Sequence, residues 1–233
     1  MSNRREHLIR FYRLLERLEQ KNRGPMLLAN CNGRMTWPTQ GVYFFNEPGE
    51  IRTDTGSGAR IVRIGTHGLK LDSKSTLWKR LSQHKGTNRS GGGNHRASIF
   101  RLLVGTTLID QNPACTTWGV GQTATADVIL QEIALETKVS TIIRSMPFLC
   151  LQIDDAPSPE SLRGYIERNA IALLSNFEKA ALDAPTQSWR GYRCNRDKVR
   201  RSGLWNQNHV DEDYDPLFLS TFEELIDNMK AHT

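Results

Sequence analysis

Over residues 3–21, Leu8, Phe11, Leu15 and Leu18 recur at spacings of three and four, with Arg4, Arg5, Arg10, Arg13 and Arg17 among them. That period predicts an amphipathic helix with a basic face, either solvated on a docked helix or offered to DNA. A loop rich in Gly, Pro and Asn follows at 22–40. Residues 41–45 (GVYFF) and 59–65 (ARIVRIG) are β-branched and aromatic runs separated by turn residues, and they predict an antiparallel hairpin with a long loop. Asn46-Glu47-Pro48-Gly49 reads as the closing turn of the first strand. Ser75 or Thr76 can cap a short helix over 77–85, which Gly86 ends. Residues 86–95 (GTNRSGGGNH) predict a mobile polar loop, and a helix is expected over 97–110. A buried strand at 147–153 and a helix from 159 to about 176 complete the body. The tail from Asp183 alternates turns with Trp189, Tyr192 and Trp205. The order β-β-α-α-β-α, without an internal repeat, predicts an α+β fold on a small mixed sheet.

A length of 233 residues fits one domain with elaborations, and 38% hydrophobic residues give it a lean core. Lys plus Arg number 31 against 25 Asp plus Glu, a net charge of +6, which permits a polyanionic partner. No apolar run approaches the ~18 residues that cross a bilayer, and residues 1–6 are too polar for a signal peptide. Membrane, collagen-like and wholly disordered classes are thereby excluded, and a cytoplasmic protein is expected. Cys31, Cys115, Cys150 and Cys194 are far apart and form no CxxC pair, so neither zinc nor a disulfide framework is expected.

Three sites carry candidate chemistry. Arg80 and His84 are four residues apart on the 77–85 helix, beside the Leu77/Leu81 stripe. A guanidinium fork suits phosphate and an imidazole moves protons near neutrality, although on spacing alone an exposed polar pair is the favoured reading. Glu167 shares a helix stripe with Ala170, Ile171 and Leu174, where a carboxylate must be paired, protonated or bound to a cation such as Mg²⁺; Arg163 or Arg168 would serve as an ionic partner. Tyr43 lies mid-strand in an aromatic run, where packing alone would explain it.

Together these residues resemble the GIY-YIG nuclease family. Gly41-Val42-Tyr43 matches the first signature, and Arg63-Ile64-Gly65 matches the second except that Arg63 stands where the family has Tyr. Residues 77–84 (LWKRLSQH) are similar to the helix carrying the family's Arg and His or Tyr. Glu167 resembles its metal-binding Glu, and Asn176 the Asn about ten residues later. The resemblance implies an α+β domain with a small, mostly antiparallel central sheet flanked by helices. The nuclease unit would span residues 41–180 with an insertion at about 86–146, preceded by a helix and linker (1–40) and followed by a C-terminal extension (181–233).

The implied activity is hydrolysis of DNA phosphodiesters with Mg²⁺ or Mn²⁺. Glu167 would hold the metal and Arg80 the phosphate, while Tyr43 or His84 would act as base. Arg63 would be a second phosphate ligand or a mark of reduced activity. The basic stretch Arg190, Arg193, Arg196, Lys198, Arg200 and Arg201 would contact phosphates, with 205–209 (WNQNH) able to read base edges; a solvated charged turn before a packed Trp205 is the other reading. Arg89, His95 and Arg96 are candidates for a loop closing on DNA. A DNA-binding protein that no longer cuts is the second function class, and an RNA-directed protein a weaker third. One copy or a homodimer is left open.

Overall fold

The computed structural model describes residues 3–87, 92–109 and 115–229. Helix α1 (Arg4–Asn22) leads into a short strand β1 (Met26–Leu27), then β2 (Gly41–Ile51) and β3 (Ala59–Gly65). Helices α2 (Leu77–Lys85), α3 (Ile99–Thr106) and α4 (Ala126–Arg144) precede β4 (Pro147–Gln152), followed by α5 (Leu162–Leu174), α6 (Asp197–Ser202) and α7 (Phe218–Asn228). The sheet is antiparallel throughout, in the order β1-β4-β2-β3.

The near-continuous apolar run at 42–45 has a simple cause: β2 is covered on both faces. Val42 and Phe44 face a core built with Leu8, Phe11, Ile166 and Phe222 from α1, α5 and α7. Tyr43 and Phe45 face a second core with Leu77, Leu81, Phe100, Val139 and Trp205. Phe45 pairs with Arg63 and Asn46 with Ile61, which leaves Val62 as the extra residue of a bulge. Val62 and Arg63 therefore share the second face.

Local signals gave several boundaries. Thr76 Oγ1 accepts the Lys79 N–H at 3.2 Å to start α2, and Gly86, at φ 75°, ends it. Ser161 caps α5 through the Gly164 N–H at 3.2 Å. Elsewhere the structure differs from the expectation. Residues 46–49 do not close β2; the strand runs on to Ile51, with Glu47 accepting the indole N–H groups of Trp189 (3.1 Å) and Trp205 (2.9 Å). Within the expected polar loop at 86–95, Gly92 and His95 are buried, Gly93 lies against Arg101 and His95 bonds Glu136; residues 88–91 lie outside the described ones. Strand β1 and helices α4, α6 and α7 were not anticipated.

The basic face of α1 is divided: Arg5 and Arg13 are exposed, whereas Arg10 and Arg17 are half-buried beside α7. Arg10 and Arg17 pair with Glu223 at 2.8 and 2.6 Å, and Arg17 also with Asp227. Arg4 is buried and donates to the carbonyls of Leu173 (2.9 Å), Ala180 (2.7 Å) and Ser175 (2.7 Å), closing the C-terminal end of α5. All four cysteines are free and buried. Among the described residues no helix is long and apolar enough to cross a membrane.

Candidate active site

Tyr43 pairs across the hairpin with Gly65, and a Cβ at position 65 would lie 2.2 Å from the Tyr43 hydroxyl oxygen. Only glycine leaves room for this phenol, so the last residue of the second signature follows from the last residue of the first. The Tyr43 oxygen lies 2.8 Å from His84 Nε2, and His84 Nδ1 lies 2.7 Å from Ser98 Oγ. Ser98 is the N-cap of α3 and already accepts the Arg101 N–H at 3.2 Å, so its single hydrogen is free for Nδ1. A neutral imidazole fits the chain, with the Tyr43 O–H donated to Nε2 and Nδ1–H to Ser98 Oγ, or with both directions reversed.

Tyr43 and His84 are both 0% exposed. Burial, then the charges of Arg80, Arg63 and Arg101, hold the His84 imidazole well below its ordinary range, which keeps it neutral. A proton arriving at the Tyr43 oxygen can pass on to His84 Nε2, 2.8 Å away, so the two act as one acceptor. Arg101 braces the relay: Nη1 donates to the His84 carbonyl at 2.9 Å, Nε to Glu136 at 2.9 Å and Nη2 to Ser140 at 3.0 Å.

Glu167 is half-buried on α5, and its Oε1 accepts the Thr66 N–H at 3.1 Å. Gly65 carries the Tyr43 ring and Thr66 holds the Glu167 carboxylate, so the end of β3 brings the two together. Burial pushes the Glu167 carboxyl above the usual range, opposed by the nearby Arg63 charge. Its Oε2 has no hydrogen-bond partner among the described residues, and the residue lines a cavity of 430 Å³ with Leu69, Ser161, Arg168 and His209. Among the described residues no group of three or more His, Cys, Asp or Glu could form a metal cage. One carboxylate with an uncommitted oxygen on an open cavity fits Mg²⁺, which keeps most of its waters.

Arg80 is half-buried and donates only through Nη1, to Gln83 Oε1 and the Ala97 carbonyl, each at 3.1 Å. Arg63 is buried: Nη1 donates to the Trp205 carbonyl at 2.7 Å and its guanidinium carbon lies 5.6 Å from the Phe100 ring centre. It holds the C-terminal segment while contributing positive charge near His84 and Glu167. Asn176 is not brought to this site. It lies beyond the end of α5, where Oδ1 accepts from Arg4 and the Leu182 N–H, both at 3.0 Å. A second cavity, of 470 Å³, opens there beside Arg4 and Lys179; Lys179 Nζ donates to the Ala172 and Glu212 carbonyls at 2.9 and 2.6 Å.

The basic candidates divide sharply. His95 is buried, stacks on Trp118 with ring centres 3.9 Å apart and bonds Glu136 through Nδ1 at 3.0 Å. Arg96 grips Glu132 with two bonds, of 2.6 and 2.8 Å. Both therefore turn inward, because α4 supplies the buried acids that sequence inspection did not anticipate. Arg89 lies outside the described residues. Lys198 pairs with Asp211, Arg200 with Asp197, and Arg201 with Asp197 and Glu178. Arg190 is half-buried beside Glu47. Arg193 and Arg196 are exposed and have no ion pair among the described residues. Asn206, expected with 205–209 to read base edges, is buried and bonded to the Ile64 backbone at 3.1 and 2.9 Å. Ser98, Arg101 and Glu136 carried no expectation; only Ser98, preceding a helical run, carried a local signal.

A family model described as the GIY-YIG domain matches residues 2–232. No curated protein and no solved structure matches the chain.

Proposed function

Because this chain belongs to the GIY-YIG domain family, a family of nucleases, we propose that it is a divalent-metal-dependent DNA endonuclease of restriction or repair type. The catalytic unit would be residues 41–180, with 1–40 and 181–233 packed on it. The observation that carries the reading is the meeting of the Tyr43–His84–Ser98 chain and Glu167 at consecutive residues, Gly65 and Thr66.

In this reading Tyr43, polarised by His84, takes the proton from the attacking water as its oxygen bonds to phosphorus. Arg80 faces the phosphate and offsets its growing charge. Glu167 holds Mg²⁺ or Mn²⁺, which when bound stabilises charge on the scissile phosphate and the leaving oxygen. Arg193 and Arg196, both exposed, are the proposed phosphate contacts of the tail, whereas His95, Arg96 and Asn176 are left out of the working site. DNA as the polyanion is supported by the net charge of +6.

One observation favours a second reading, a DNA-binding protein without cleavage: both members of the proton-handling pair are closed to solvent. Supercoiled plasmid and branched DNA incubated with Mg²⁺ or EDTA, alongside Glu167→Ala, separate the two. Cutting abolished by the chelator and by the substitution is expected. Cutting indifferent to both would overturn the mechanism, and tight binding without cutting would establish the second reading.

A further inference from the structure

The cavity beside Glu167 holds a group that the mechanism above does not use. The segment after α6 is fastened to the end of β3: the Trp205 N–H donates to the Val62 carbonyl at 2.7 Å, Arg63 holds the Trp205 carbonyl, and the Asn206 amide clips both the N–H and C=O of Ile64 at 3.1 and 2.9 Å. It then crosses to α5, where Ser175 Oγ donates to the Val210 carbonyl at 2.6 Å and Asn169 Oδ1 accepts the Asp215 N–H at 2.7 Å. Between these anchors His209 stands in the left-handed region at φ 63° and lines the Glu167 cavity. A non-glycine residue keeps that conformation only where its surroundings impose it.

The His209 ring is oriented. Nδ1 lies 2.8 Å from Glu212 Oε1, and Glu212 Oε2 accepts Arg168 Nε at 2.5 Å. Among the described residues Nε2 has no hydrogen-bond partner, and the side chain is 30% exposed. An imidazole fixed by a carboxylate at one nitrogen and open at the other is the arrangement of a proton donor or acceptor. Tyr43 already serves the attacking water, and the leaving oxygen has no donor.

We infer that His209 is a further catalytic residue, whose Nε2 protonates the departing 3′ oxygen; this rests on the nuclease reading above. The water oxygen bonds to phosphorus, and its proton passes to the Tyr43 oxygen as the phenol proton passes to His84 Nε2. The bond from phosphorus to the 3′ oxygen breaks, and that oxygen takes the Nε2 proton of the His209 imidazolium. The products are a 5′-phosphate and a 3′-hydroxyl. His209 regains its proton from solvent, to which the Tyr43–His84 pair returns one.

The test uses the full-length protein with Mn²⁺ on a duplex containing the bond that the wild type cuts, made with oxygen or with sulfur at the 3′ bridging position. A thiolate leaves without protonation. His209→Gln should lower kcat on the oxygen substrate by about 10²-fold, with KM little changed. On the sulfur substrate it should stay within about threefold of wild type. Glu167→Ala should lose both substrates. Equal losses of His209→Gln on both substrates, or a wild-type rate on the oxygen substrate, would overturn the acid role while leaving the nuclease reading intact. A wild-type protein that cuts no DNA would overturn both.

Discussion

The Tyr43 hydroxyl oxygen and His84 Nε2 lie 2.8 Å apart, with their rings edge to face, although 41 residues separate them in the chain. The contact joins the middle of the sheet to the last turn of α2. Ser98, at the start of α3, completes it on the far nitrogen of His84. Three elements therefore fix one proton path, and no one of them holds it alone.

Tyr43→Phe removes the hydroxyl and keeps the ring. Cleavage should fall by at least about 10²-fold, since the base is lost. Stability should drop by only ~1–3 kcal/mol, the cost of a buried His84 ring nitrogen without its partner. Nicking rates beside urea denaturation midpoints check both halves.

Gly65→Ala would place a methyl group 2.2 Å from the Tyr43 oxygen. The ring is enclosed, so relief must come from moving the phenol off His84. A destabilisation of ~1–3 kcal/mol is expected, as for other overpacked cores, with cleavage reduced as far as in Tyr43→Phe. A Gly65→Ala protein that cuts at the wild-type rate would contradict the close approach.

Arg101 and Glu136 form a buried pair that also carries the His84 carbonyl and His95. Glu136→Ala strands a buried guanidinium and should cost ~3–5 kcal/mol. A double change to apolar residues of similar volume should recover much of that loss without restoring full cleavage, because the brace on His84 is gone. Thermal melts and rates on the three proteins would show it.

His67 links stability to pH. Burial, aided by the Arg163 charge, pushes its imidazole down to about 4, from 6.5 when unfolded. The folded state therefore disfavours the proton. Its stabilising contribution is complete above pH 6.5 and is lost as pH falls toward 4, a change of about 3 kcal/mol. His84, lowered for the same reason, acts with the same sign. Glu167, whose carboxyl is raised, opposes them, because its protonation becomes easier in the folded state. Urea midpoints should fall between pH 6.5 and 5, and His67→Phe should flatten that fall.

Much of the frame was legible locally. The bounds Leu77–Lys85 and Ala59–Gly65 follow from a Thr cap, a terminal Gly and a β-branched run, all signals within a few residues. Tyr43, Arg80, His84 and Glu167 stood out because their spacing matched an ordered set of motifs. Helix α7 had a readable stripe in Phe218, Leu219, Phe222 and Ile226 that was overlooked. The direction of the charges was not legible. Arg96 and Arg193 look alike in sequence, yet one is locked to Glu132 and the other is exposed.

By itself, then, the sequence determined the hairpin, the motif order and the family they spell, since each depends on neighbours along the chain. Tertiary structure alone decided that Tyr43 rests on Gly65 beside the Thr66 that holds Glu167. It also decided that Arg63 reaches across 142 residues to hold Trp205, and that His209 shares the Glu167 cavity. Such contacts depend on how two cores close over one sheet, and a side chain's partner is set by that closure rather than by its own type.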